Sequence, residues 1–370
     1  MRICVYIPTA SFYVGGGEVI PLIQAGQLQK LGHEVTVVTL KVENETNYFK
    51  AFKKDNPSIN YCSLSSTVQK ENPFDKRVLN HQVGHELYFS LTRVFSDYCL
   101  KQQFDIVITH YCPATMSVPS SIKQLLFLHG VPSEFDLVNY VSARLANKLV
   151  AVSNSVAEGW RGLFQLGEIE VLHNGIDEKI FYPENLSEDI DIFFVGRLIE
   201  IKGIQHLIEA VSILDKEDNI KAKVVIGGKG PYERELVKLT RKLGLENQIK
   251  FLGYIKEENL NTYYNQSKIC VFPSYAKEGV LTTMLEAASA GRAIITANCC
   301  GMVDFLKDRD NGLLFEPANP RDLSLKIKEL LTDPAKRKRF GEKARKDILA
   351  SWTLEKSTLN LERVLKEMVK

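Results

Sequence analysis

Residues 277–291 read KEGVLTTMLEAASAG. Two glutamates, Glu278 and Glu286, stand eight positions apart, separated by a glycine and an apolar run. Small residues follow: Ala287, Ala288, Ser289, Ala290 and Gly291. The preceding KICVFPS is apolar and β-rich, which predicts a buried strand leading into a loop. From about Val280 the pattern predicts a helix, and its small residues allow close packing on a sheet. Glu278 then lies in the loop at the helix mouth, and Glu286 lies roughly two turns further in. Two carboxylate acceptors at staggered depth suit a ligand with hydroxyls at two places, such as a nucleotide sugar. Taken alone, the stretch also fits a helix with one exposed acid at its mouth and one mid-helix acid in a salt bridge.

Working outward, residues 191–195 predict a strand that opens a βα alternation. The loop after it reads GRLIEIKG, with Gly196, Arg197, Lys202 and Gly203. Two cations five apart beside a helix start can clamp a diphosphate, Arg as a fork and Lys as a point charge. The bland alternative is a pair of surface cations. Residues 223–226 predict the next strand, followed by GGKGP with Gly227, Gly228 and Pro231, a residue suited to a helix start. Residues 248–252 lead to Gly253 and Tyr254, and 293–296 form a further strand. Asp304 and the Asn311-Gly312 turn come next, and helices fill 320–350. Trp352 is expected to start the last helix. The polar, turn-rich PENLSED at 183–189 is the expected linker.

The first half opens with a strand at 2–7 ended by Pro8. The loop TASFYVGGGE follows, then a helix over 18–31, a break at Gly32 and a second strand at 34–39. This βαβ start predicts a parallel sheet. Gly15, Gly16 and Gly17 sit where strand gives way to helix, and amides there attract an anion. A flexible turn is the other reading. The dinucleotide spacing G-x-G-x-x-G is absent, and no acid stands at the end of the second strand, so a dinucleotide site is not expected. Residues 41–103 are less regular. A long helix is expected over 75–102, with Leu79, Val83, Leu87 and Leu91 on one face. Its His81 and His85 have metal spacing but no evident third ligand, which points to surface histidines. Strands follow at 105–109, 124–128, 148–152 and 168–172, the third followed by Ser153, Asn154 and Ser155, all good helix caps. His129 stands at the end of the second of these, where ligands bind in doubly wound sheets, though a packing role is equally open. Asn174-Gly175-Ile176-Asp177 reads as a structural turn.

At 370 residues the chain has length for two domains, and 45% hydrophobic residues supply two cores. The net charge of +2 points away from nucleic acid. Residues 321–370 carry fourteen Lys and Arg against eight Asp and Glu. That fits a solvated helical face, which could also touch anionic lipid. No apolar run has membrane-spanning length, and RICVYIP is too short for a signal peptide. Seven cysteines without C-x-x-C spacing suggest reduced thiols in the cytoplasm, with peripheral contact at the inner membrane face as a further option.

These motifs resemble those of the retaining nucleotide-sugar glycosyltransferases of family 4. That family has the GT-B fold, an α/β architecture of two Rossmann-like domains facing across a cleft. The resemblance implies an acceptor-side domain over 1–183, a nucleotide-sugar-binding domain over 190–350, and a C-terminal helix over 351–370 that returns to the first. It implies that Glu278 meets the donor sugar and Glu286 the ribose hydroxyls. Arg197 and Lys202 neutralise the diphosphate, and His129 reaches the sugar. Gly16 and Gly17 belong to the family's glycine-rich loop, facing donor phosphate and acceptor. Gly196, Gly228, Tyr254, Gly279, Val280, Leu281 and Thr282 complete the donor site, with the backbone at Tyr254 meeting the base. The chain departs from the family at Leu281, where Gly or Pro is usual, and at Ala293, where Pro is usual.

The implied reaction is retaining transfer from a nucleoside diphosphate sugar, UDP-sugar favoured over GDP-sugar. The acceptor is a hydroxyl of a glycan, a lipid-linked or a small molecule, in a setting such as cell-surface polysaccharide biosynthesis. No cofactor is implied, and the absence of D-x-D beside a suitable strand agrees with metal independence. A nucleotide-sugar epimerase of the same fold, or a non-catalytic nucleotide-sugar binder, would share much of this pattern.

Overall fold

A computed structural model describes residues 1–65, 81–132 and 134–370, with side chains left undescribed from 81 to 88. The helix start expected near residue 75 and Leu79 therefore fall outside the described residues, as do the side chains of His81 and His85. The chain divides into two units, 1–172 with 358–370, and 173–357.

The first unit alternates strand and helix. β1 (Arg2–Tyr6), α1 (Gly16–Lys30), β2 (Glu34–Leu40), α2 (Asn47–Asp55) and β3 (Asn60–Leu64) come first. α3 (His81–Gln102), β4 (Ile106–Thr109), α4 (Cys112–Thr115) and β5 (Lys123–Leu128) follow. α5 (Leu137–Leu145), β6 (Lys148–Ala151), α6 (Asn154–Phe164) and β7 (Glu170–Val171) complete it. The described strands form one parallel sheet in the order β3-β2-β1-β4-β5-β6-β7. Alternate residues of β1 enter opposite cores, Ile3 and Val5 on one face, Cys4 and Tyr6 on the other. Burial on both faces explains why the strand reads as a continuous apolar run. Of the three candidate caps, Ser153 accepts from the Val156 amide and caps α6.

The second unit repeats the logic with β8 (Ile190–Val195), α7 (Ile204–Asp218), β9 (Val224–Gly227), α8 (Glu233–Leu243), β10 (Ile249–Gly253) and α9 (Glu257–Asn265). β11 (Ser267–Phe272), α10 (Thr282–Ser289), β12 (Ala293–Ala297), α11 (Met302–Phe305), β13 (Leu313–Phe315), α12 (Pro320–Thr332) and α13 (Pro334–Asp347) follow. Its described strands run β10-β9-β8-β11-β12-β13, all parallel. Ile192 and Phe194 face one core, Phe193 and Val195 the other.

Four details differ from the sequence reading. The boundary falls after Leu172, upstream of 183–189, because the intervening residues hydrogen-bond within the second unit. Ile176 donates to the Trp352 carbonyl at 2.9 Å, and the Tyr182 amide to Asn261 at 3.0 Å. Trp352 does not open the last helix; it closes a π-helical turn, packed on His173 and Phe305, and α14 (Leu354–Val369) starts after it. From Thr358 onward α14 belongs to the first unit. The irregular stretch after Lys41 holds α2 and β3; β3 buries only Leu64 fully, so its apolar signal is weak. Gly16 and Gly17 lie inside the first turn of α1 rather than in the loop before it.

Much of the cation excess near the C-terminus is paired on helix surfaces. Arg321 bonds Glu217, Lys328 bonds Asp218, and Lys343 bonds Asp347. Among the described residues no helix is long and apolar enough to cross a membrane, and all seven cysteines are unpaired.

Candidate donor site

In each sheet the strand order reverses direction once, and the loops that leave the two strands beside that point turn toward opposite faces, with a crevice between them where ligands bind. In the second unit these are the loops after β8 and β11. The first carries Lys202 and the second Glu278. Lys202 Nζ donates to Glu278 Oε1 at 2.6 Å and Oε2 at 2.7 Å. Ser274 Oγ donates to the same Oε1 at 2.7 Å. Lys202 is only 8% exposed. Burial pushes its ammonium below the usual lysine range, against the pull of Glu278, and the nearby Arg197 charge pushes the same way. Arg197 itself is exposed, and its side chain has no hydrogen bond or ion pair among the described residues. The two expected clamp cations are thus unequal: one is buried and already partnered, the other is open.

Close backbone approach holds this corner. Gly203, at φ +72°, would place a Cβ 2.0 Å from the Pro273 carbonyl oxygen. Gly228, at φ +122°, would place one 1.8 Å from the Gly196 oxygen. Only glycine fits either position. The loops after β8 and β9 are therefore fused through Gly196 and Gly228, and Tyr232 N donates to Leu198 O at 3.0 Å. On the other side the Gly301 amide donates to the Glu278 carbonyl at 3.0 Å, fixing the loop that carries the acid. Cys299 lies beside it. Burial, then Cys300 and Glu278, push its thiol up to about 12, so it stays protonated.

Gly279, Val280 and Leu281 lead from Glu278 into α10. Val280 is 6% exposed and packs in the core. Leu281 is the N-cap residue and supplies no side-chain cap. The Met284 amide bonds the Leu281 carbonyl at 3.1 Å, and among the described residues those of Thr282 and Thr283 are left for another acceptor. Glu286 is the fifth residue of α10. Tyr264 donates to its Oε2 at 2.7 Å. Burial raises its carboxyl to about 7, countered by Tyr264 and assisted by Glu257. Tyr254, after β10, is 69% exposed.

The reversal point of the first unit lies between β1 and β4. There Tyr111 and Thr9 (at 2.9 Å) both donate to the buried Glu18 at the start of α1. Gly16 is exposed, and a side chain there would meet no protein atom, so the fold itself does not demand glycine. His129 follows β5, and its Nε2 lies 2.9 Å from His110 Nδ1. Burial pushes His129 down to about 4, so it is neutral.

Sequence reasoning missed Ser274, Tyr264, Gly301 and His110. Ser274 had a signal, since it directly follows a strand in the glutamate loop. His110 had the same signal as His129, a histidine at a strand's C-terminal end.

The family models match in two consecutive blocks, "Glycosyltransferase Family 4" over residues 14–179 and "Glycosyl transferases group 1" over 176–347. The chain belongs to the group 1, family 4 glycosyltransferases. It is an enzyme of the transferase class with the GT-B fold. An uncharacterised glycosyltransferase of Methanocaldococcus jannaschii is 29% identical over 252 residues, covering 63% of this chain and 64% of the relative. The N-acetyl-alpha-D-glucosaminyl L-malate synthase of Bacillus anthracis is 22% identical over 388 residues, covering 96% of this glycosyltransferase and 95% of the relative. The crystal structure of HepE of Anabaena in complex with UDP matches at a TM-score of 0.80 and 17% identity, covering 99% and 100% of the two chains. HepE has also been solved with UDP-glucose.

Proposed function

We propose that this glycosyltransferase moves a sugar, with retention, from a nucleoside diphosphate sugar, UDP-sugar before GDP-sugar, to a hydroxyl of a glycan, lipid-linked or small-molecule acceptor. The observation that carries the reading is the Lys202–Glu278 pair beside the open Arg197 and the uncapped start of α10. It sets an anion seat and a hydroxyl acceptor side by side. The diphosphate sits on Arg197, Lys202 and the α10 amides, and Glu278 accepts from sugar hydroxyls. Glu286 holds the ribose, Tyr254 lies at the base, and His129 contacts the sugar. The UDP and UDP-glucose complexes of HepE support the donor class.

The sugar C1–O bond breaks with its electron pair going to the diphosphate, where the two cations and the amide dipoles stabilise the new charge. The acceptor oxygen bonds to C1 from the same face, and its proton passes to a diphosphate oxygen. A covalent glycosyl intermediate would need a free carboxylate about 5 Å from a second one. Glu278 is a poor candidate because Lys202 and Ser274 already occupy its oxygens. We place the reaction in the cytoplasm. Lys338, Arg339 and Lys346, exposed on α13, are the cations best set to meet an anionic lipid surface.

The test is a thermal-shift screen of nucleotide sugars followed by turnover with the best donor in excess chelator. Full turnover in EDTA is expected, since protein cations take the charge of the leaving group. Loss of turnover with EDTA and rescue by manganese would overturn the reading.

A further inference from the structure

We infer that His110 is a positioning residue that holds His129 in the tautomer carrying its proton on Nδ1, so that His129 presents an N–H donor to the sugar. The inference rests on the proposed sugar contact of His129. The strand register sets up the pair. Thr109 on β4 lies opposite Leu126 on β5, so His110 falls opposite Phe127, two residues before His129. The His110 ring stacks on Phe127 with centroids 4.8 Å apart and planes within 7°. That stack fixes the direction of Nδ1, which meets His129 Nε2 at 2.9 Å. Trp160 Nε1 donates to the Gly130 carbonyl at 2.7 Å and pins the backbone beside His129.

Both rings are neutral, because burial pushes each pKa down and His129 pushes that of His110 further the same way. A hydrogen bond between neutral imidazoles uses one proton, leaving two arrangements. If His129 donated, His110 would carry its own proton on Nε2. That atom is buried without a partner, so a donor would be stranded. If His110 donates from Nδ1, its Nε2 is a bare lone pair. Buried orphan donors are rarer than under-satisfied acceptors, which favours the second arrangement. His129 then accepts at Nε2 and must carry its proton on Nδ1. That nitrogen has no partner among the described residues. A sugar hydroxyl oxygen is the acceptor it suits.

The test is nitrogen NMR of the full-length protein labelled in histidine, with His129→Ala identifying the signals. Wild type is expected to show His129 with a protonated Nδ1 and a bare Nε2. His110→Phe keeps the stack and removes the donor, and His110→Leu serves if that variant is unstable. Either should let His129 shift toward the Nε2–H form and lower kcat at least about tenfold, with UDP affinity within about twofold of wild type. His110→Asn, whose amide nitrogen falls near the lost Nδ1, should restore both. A protonated Nε2 on His129 in wild type, or an unchanged tautomer in the variants, would overturn the inference. Normal turnover by His129→Ala would instead sink the sugar contact and leave the spectrum to decide the tautomer.

Discussion

Lys202→Ala is expected to weaken UDP binding by about 100-fold or more, the largest effect of any single substitution in the site. Two losses combine. The diphosphate loses its buried cation, and Glu278 loses the ammonium that holds it at 2.6 Å. Removing one partner of a buried pair typically costs the fold about 3–5 kcal/mol, because the other charge is left uncompensated. Here the stranded carboxylate also repels the incoming anion. Lys202→Ala combined with Glu278→Gln should therefore bind UDP better than Lys202→Ala alone, although it has lost both charges. Calorimetric titration of the three variants measures this. Unchanged affinity in folded Lys202→Ala, or simple additivity in the double variant, would count against the clamp.

Glu286→Gln is expected to gain stability and lose affinity, and both effects depend on pH. The carboxyl titrates near 7 in the folded protein, against about 4.5 when exposed. A raised folded-state value means that the native state holds a proton the unfolded chain has released. Its stabilising contribution is complete below about 4.5 and is lost as pH rises through 7. Wild type should thus lose up to about 3 kcal/mol between those limits through this group. Glutamine does not ionise and still accepts from Tyr264, so the variant should melt close to wild type at pH 5 and above it at pH 8. Ribose hydroxyls donate best to an ionised acceptor. Wild-type UDP affinity should therefore weaken as pH falls below 7, and Glu286→Gln should bind about tenfold or more weakly at pH 8 with little pH dependence. Parallel melting and binding curves for the two proteins would refute the assignment.

The sequence carried the fold because strands buried on both faces, such as IDIFFV at 190–195, read as short apolar runs separated by glycine-bearing loops. It carried Lys202, Glu278 and Glu286 as residues on such loops or the helix after them. It did not carry their partners. That Lys202 and Glu278 hold one another follows from strand order, β8 beside β11, which no local pattern encodes. Tyr264 reaches Glu286 from α9, 22 positions away, and as an apolar-looking helix residue it gave no hint of a polar task. His110 needed the β4–β5 register to be seen as the neighbour of His129. The stretch with α2 and β3 stayed unread because its half-exposed edge strand buries too little to pattern clearly.

The central claim is a division of labour, with Lys202 and Arg197 on the diphosphate, Glu286 on the ribose and Glu278 on the reacting sugar. Titration of UDP, which lacks the sugar, into Glu278→Gln tests it most directly. An interaction that acts on the sugar as charge develops lowers kcat when lost and spares binding of the bare nucleotide. The variant also releases Lys202 from its carboxylate. The account predicts UDP affinity equal to wild type or tighter, alongside a kcat reduced by about 100-fold. UDP binding weakened in Glu278→Gln as much as in Glu286→Gln would contradict it.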